Sequence, residues 1–245
     1  MKQPTRARFA PLLFAQCLLV LLTEPLAVME NGAIYATLLY PLTLAGLVFA
    51  VGRSGRLGQI VVLIWFGTVA LELAVRTTTE AMMPVAGRVL DATLVMLGCF
   101  ILLSEILRRH RVTFDTLLGG ISVYLMIGFF YALAFNLVEF LKPGSFLDQG
   151  VPLTNVAENS PFLATDARFP GLLYYSFVTL TTLGYGDIVP ELPLARSLAA
   201  SEALVGQLYL TVLVAALVGM HMSQRIETKG GAATDSPDDR DGERS

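Results

Sequence analysis

With 245 residues, 54% of them hydrophobic and only 15% charged, and a mean hydropathy of +0.63, the chain is too apolar to be an ordinary water-soluble domain. A net charge of -3 and a pI near 5.4 exclude the basic footprint of a nucleic-acid partner. Cys17 and Cys99 fall in separate apolar stretches, so they offer neither a disulfide framework nor a metal site, and no hydrolase signature is present; neither enzyme activity nor a cofactor is expected.

A membrane-spanning helix needs roughly 20 apolar residues. Six stretches meet that demand, near residues 9–29, 33–51, 59–75, 89–107, 116–137 and 194–222. The first has two readings, a retained span or a signal peptide, although no clear small-x-small cleavage site follows it. With the amino terminus inside, that side carries Lys2, Arg6, Arg8, Arg53, Arg56, Arg108, Arg109, Arg111, Arg225, Lys229, Arg240 and Arg244, against Arg76, Arg88, Lys142, Arg168 and Arg196 outside. Under the positive-inside rule both termini are then cytoplasmic.

The fourth stretch bears on voltage sensing. A sensor helix carries basic residues at every third position, because each charge crossing the field contributes about 2.3 kcal/mol per 100 mV. This stretch, read from Arg88 to Leu107, holds Asp91 and Glu105 and no interior Arg or Lys; Arg108, Arg109 and Arg111 follow its end as interfacial anchors. Residues 1–111 are therefore predicted to form four peripheral spans without a charged voltage sensor. His110 and His221 lie near cytoplasmic ends, and as isolated histidines they read as interfacial.

Residues 112–222 are predicted to hold an outer helix beginning at Phe114-Asp115, a polar extracellular turret at 142–169, a re-entrant segment at 171–187 and a long inner helix. Inside the re-entrant segment, Thr179 to Asp187 read T-L-T-T-L-G-Y-G-D. Glycine adopts left-handed dihedrals without steric cost, and alternation of such residues turns successive carbonyls toward one axis. Gly184 and Gly186 alternate in that way. Rings of backbone carbonyls from several chains can replace the hydration shell of a cation. In this arrangement Leu183 and Tyr185 point away from the ion path, Thr182 adds a hydroxyl at the inner end, and Asp187 stands at the outer mouth to concentrate cations.

The pattern T-x-x-T-x-G-Y-G-D, with Thr179, Thr182, Gly184, Tyr185, Gly186 and Asp187 in place, resembles the pore signature of potassium channels. Leu183 stands where the commonest residue of that family is Val. The text from Thr113 to Phe146 and from Tyr175 to Gly219 is similar to bacterial members with a two-transmembrane-type pore and extra helices in front. The resemblance implies an all-α membrane protein of six transmembrane helices, with a pore helix and selectivity filter between the fifth and sixth. It implies a homotetramer in the plasma membrane, here a bacterial inner membrane, conducting potassium passively. Potassium would be held by the carbonyls of Thr182, Leu183, Gly184 and Tyr185, with Thr179 and Val178 supporting from the pore helix. Membrane lipid is the remaining expected partner.

Val178 occupies the position where some members carry a carboxylate behind the filter. Gly206 lies at the spacing of the family's gating glycine, and two readings stay open there, a bending point and a close-packing residue. Val218 and Met222 fit either an inner gate that closes by dewetting or a plain packing stripe. Among the intramembrane carboxylates Glu24, Glu72, Asp91, Glu105 and Glu202, the last is the best candidate to brace the filter from behind or to pair with Arg196; a hydrogen-bonded strut is the alternative. Residues 223–245, rich in Gly, Asp and Ser, are expected to form a disordered cytoplasmic tail too short for a ligand-sensing domain. Two other functions remain: a less selective cation channel on the same scaffold, and a proton-coupled transporter or accessory membrane subunit built around the carboxylates.

Overall fold

Helix α1 (Ala10–Ala27) starts immediately after Phe9, whose backbone N–H donates to Asp115 Oδ1 at 3.0 Å. In this computed structural model the described residues are 9–27, 46, 59–60, 62–67, 70, 82–108, 113–153 and 168–234. Phe9, Leu12 and Leu19 are buried in one apolar cluster with the helices that follow, and Gln16 donates to the Ser122 carbonyl at 3.3 Å. This burial packs α1 into the fold. The predicted span at 33–51 lies outside the described residues apart from Gly46; of the span at 59–75, residues 59–60 and 62–67 are helical.

Helix α2 (Met82–Leu107) starts seven residues earlier than the apolar run suggests, and it takes Arg88 inside. That corrects the expectation of a helix with no interior basic residue. The guanidinium is accommodated because Arg88 Nε donates to Asn136 Oδ1 at 3.1 Å and its Cζ lies 4.4 Å from the centre of the Phe140 ring.

Helix α3 (Phe114–Leu141) is fixed at its start by Thr113, whose side chain accepts from the Thr116 N–H while Thr116 reciprocates to the Thr113 backbone. At its other end buried Glu139 accepts from the Gly144 and Phe146 N–H groups, each at 3.0 Å, so the helix outruns the predicted limit at residue 137. Strands β1 (Phe146–Asp148), β2 (Val151–Pro152) and β3 (Ile188–Pro190) then form an antiparallel sheet in the order β2-β1-β3. The sheet corrects the all-α expectation. Its strands are two or three residues long, too short to display a period of two in sequence.

Helix α4 (Phe169–Leu180) has Pro170 in its first turn, where the missing N–H costs nothing. Helix α5 (Pro193–Thr234) runs on past residue 222. The expected disordered tail is thus helical through Thr234, since extending an established helix adds one hydrogen bond per residue fixed. Residues 235–245 lie outside the described residues.

Two cores hold these elements. The first joins α1, α2 and the first part of α3 around Leu94, Leu102, Val123 and Met126. In the second, Phe135, Phe146 and Tyr175 pack with centroids 5.2–5.3 Å apart, locking α3, β1 and α4 together beside Ala195 and Ala199 of α5. Among the described residues three helices are long and apolar enough to cross a membrane, at Val85–Leu107, Phe114–Leu141 and Pro193–Ala216.

Candidate functional site

Helix α4 ends at Leu180, and the chain then passes through a turn at Thr181 and Thr182 and an irregular segment to Asp187, beside α5, before entering β3. Its inner end is tied to the last turn of α4. Thr182 N–H donates to the Thr179 carbonyl at 2.9 Å, and the N–H groups of Leu183 and Gly184 both reach the Val178 carbonyl, at 2.9 and 3.3 Å. Val178 and Thr179 therefore support the segment through backbone oxygens. Tyr124 of α3 donates to the Leu180 carbonyl at 3.1 Å, and Gln207 of α5 donates to Thr182 Oγ1 at 3.4 Å.

The backbone alternates. Thr182, Gly184 and Gly186 have φ of 58°, 60° and 80°, whereas Leu183 and Tyr185 between them stay out of the left-handed region. The two glycines were legible in sequence; Thr182 was not. A β-branched residue in the left-handed region is a genuine outlier that costs on the order of 1–3 kcal/mol. The tethers from Thr179 and Gln207 hold it there. Thr182, Leu183, Gly184 and Tyr185 are exposed on the single chain, and among the described residues their carbonyls accept no hydrogen bond. Four successive acceptors are thereby kept free.

Leu183 borders an apolar cavity of about 210 Å³ lined also by Val20 and Thr23 of α1 and by Leu173, Phe177 and Val178 of α4. Tyr185 is exposed on the single chain. At the outer end Asp187 is anchored rather than loose. Tyr174 donates its hydroxyl to Asp187 Oδ2 at 2.6 Å, Ile188 N–H donates to Oδ1 at 3.0 Å, and the Asp187 carbonyl accepts from Gln149 N–H at 2.9 Å. The Tyr174 hydrogen bond holds the Asp187 carboxyl below the usual carboxylate range, so it stays ionised in mildly acidic water.

Behind α4, Glu202 is fully buried and meets Ser176. Arg196, its other predicted partner, instead pairs with Glu191 at 3.3 Å and donates to the Pro190 carbonyl. Sequence offered no signal for Ser176, because the contact joins residues 26 apart on different helices. Gly206 abuts the end of α4: a Cβ there would lie 2.7 Å from Leu180 Cδ1 and 2.9 Å from the Leu180 oxygen. Val218 and Met222 lie further along α5, both exposed on the single chain.

This order of a long helix, a short helix, an irregular segment with free carbonyls and a second long helix coincides with a match to a family model. Residues 153–222 match the model described as "Ion channel". Together with the two relatives that follow, this match supports a potassium channel family pore domain. Over 116 residues it is 33% identical to the potassium voltage-gated channel protein shk-1 of Caenorhabditis elegans, covering 46% of this chain and 19% of that protein. Over 103 residues it is 35% identical to the inward rectifier potassium channel Kirbac3.1 of Paramagnetospirillum magnetotacticum, covering 40% of this chain and 26% of that protein. The chain thus spans only about a fifth to a quarter of the length of these relatives. No solved structure matches it. The matches are to ion channels and not to enzymes, and with three apolar helices of spanning length they mark a membrane protein.

Proposed function

We propose that the chain forms a potassium-selective channel in which residues 182–187 are the selectivity filter. The observation that carries this reading is the left-handed alternation at Thr182, Gly184 and Gly186 together with the four unbonded carbonyls. Carbonyl oxygens on one chain surround nothing; a closed ring of four identical chains converts them into a cage for a dehydrated cation. The potassium ion is the cargo, held in turn by the carbonyls of Thr182, Leu183, Gly184 and Tyr185, while Asp187 raises the cation concentration at the outer mouth.

The surface of α5 supports assembly. In α3, 61% of the most apolar window is buried within the chain, whereas in α5 the figure is 17%, with Leu204, Leu208 and Val212 exposed. The inner faces of α5 from four copies would line the path, with Val218 and Met222 as rings at its cytoplasmic end, and lipid would cover the remaining apolar surface. Six spans, residues 1–111 as a peripheral unit without a voltage sensor, residues 112–222 as the pore, both termini in the cytoplasm and a plasma-membrane location complete the reading. Arg88 fits it as a structural tie, since it binds Asn136 and Phe140 of α3 and is the lone Arg or Lys in α2. Gly206 fits best as a packing residue against Leu180, with bending at that point as a further role to be tested.

The test is cation flux into liposomes under potassium-only and sodium-only gradients, with a proton ionophore to release charge. Potassium flux abolished by Gly184→Ala is the expected result: the space around Gly184 is open, so that substitution acts through the backbone, at about 1–2 kcal/mol for a left-handed non-glycine residue. Flux unaffected by the substitution would reject the filter assignment.

A further inference from the structure

Ser176, in the middle of α4, brings its hydroxyl oxygen against two other oxygens. One is the Gly128 carbonyl of α3 at 2.7 Å and the other is Glu202 Oε1 of α5 at 2.5 Å. Ser176 and Glu202 are completely buried. Oxygens this close repel unless a proton stands between them. A serine hydroxyl supplies one proton, a backbone carbonyl supplies none, and an ionised carboxylate supplies none. Ser176 must donate to Gly128, because the carbonyl can only accept. The contact with Glu202 then needs a second proton, and only the Glu202 carboxyl can carry it.

We therefore infer that Glu202 is held as a neutral carboxylic acid that donates to Ser176, which donates to the Gly128 carbonyl, forming a relay that positions the filter-bearing helix between α3 and α5. Its surroundings agree. Among the described residues Glu202 Oε2 has no hydrogen-bond partner and no cation reaches the carboxyl. On its own helix, the nearest basic residue, Arg196, is engaged with Glu191 and Pro190. The titratable groups facing it are Tyr124 of α3 and Tyr175 of α4. Tyr124 donates to the Leu180 carbonyl, and Tyr131 shares a hydrogen bond with Ser201. A phenol carries no positive charge in either protonation state, so none compensates a carboxylate charge.

The relay sits one helical turn before Gly206, which itself touches the last residue of α4. Removing the proton leaves Ser176 facing two acceptors with one hydrogen and places an unpaired charge among apolar groups. Helix α4 would then loosen from α5, and the segment it carries would lose its support. Glu202 is thus a positioning residue that makes conduction sensitive to alkaline pH. The inference rests on the proposed function only where flux is read.

The full chain in liposomes tests it by infrared difference spectroscopy across a titration from neutral to alkaline pH, with flux measured in parallel. The wild type should show the carbonyl stretch of a protonated carboxylic acid at neutral pH, lost together with flux as pH rises. Glu202→Gln, which keeps a hydrogen donor toward Ser176, should lack that band, retain flux and lose the alkaline decline. A band that persists in Glu202→Gln, or an alkaline decline unchanged by it, would overturn the inference. A wild type with the band and without flux would support the neutral acid and reject the channel reading. If Glu202→Gln does not fold, Ser176→Ala decides: a shifted acid band supports the relay, and an unshifted one refutes it.

Discussion

Gly206→Ala weighs packing against helix propensity at the junction of α4 and α5. In open space this substitution stabilises a helix by about 1 kcal/mol. Here the new methyl would stand 2.7 Å from Leu180 Cδ1 and 2.9 Å from the Leu180 oxygen. The side-chain methyl can rotate aside, but the carbonyl is held by the Tyr124 hydroxyl at 3.1 Å and belongs to the last residue of α4. Forcing a methyl into a packed site costs about 1–3 kcal/mol. The balance is a net loss of up to about 2 kcal/mol, because the packing cost exceeds the propensity gain. Purified Gly206→Ala should melt below wild type in detergent and pass less potassium, since the displaced Leu180 immediately precedes the segment with free carbonyls. A variant that melts higher and conducts normally would refute the packing argument and favour bending at this point.

Tyr174→Phe removes the hydrogen bond that keeps the Asp187 carboxyl low. Because the folded-state value is depressed, the carboxylate contributes above its unfolded value and is lost as pH falls through the folded one; the variant should lose flux at a higher pH than wild type, and coincident acid-inhibition curves would contradict this. Glu139→Ala removes the acceptor of the half-buried Gly144 N–H and the buried Phe146 N–H and should cost about 3 kcal/mol, read as a lower melting temperature and faster proteolysis at residues 142–150; unchanged melting would reject the latch. Val218→Asp should hydrate the cytoplasmic end of the path and leave a leak in the closed state, whereas unchanged closed-state current would remove Val218 from the gate.

The glycine alternation was readable because the chemistry of the site lies in the backbone and only glycine advertises left-handed dihedrals. Thr182 carries the same conformation without that signature, and its cause is the set of tethers from Thr179 and Gln207. Charge misled the placement of helix ends in two places. Arg88 and Glu139 look like boundaries in sequence, but each finds buried polar partners that let its helix continue. Glu202 was legible as a costly buried carboxylate, whereas its partner was not: the sequence pointed to Arg196, and Ser176 meets Glu202 only through the packing of α4 on α5. The small sheet escaped notice because its strands are too short to show periodicity, both in the local pairing of Leu147 with Pro152 and in the long-range pairing of Phe146 with Pro190.

The reversal potential of the reconstituted wild-type protein, with potassium on one side of the bilayer and sodium on the other, tests the central claim most directly. A reversal potential that follows the potassium equilibrium potential as the potassium concentration is varied is the predicted result. A value near zero that ignores the potassium gradient would contradict potassium selectivity and point to a general cation path on the same scaffold.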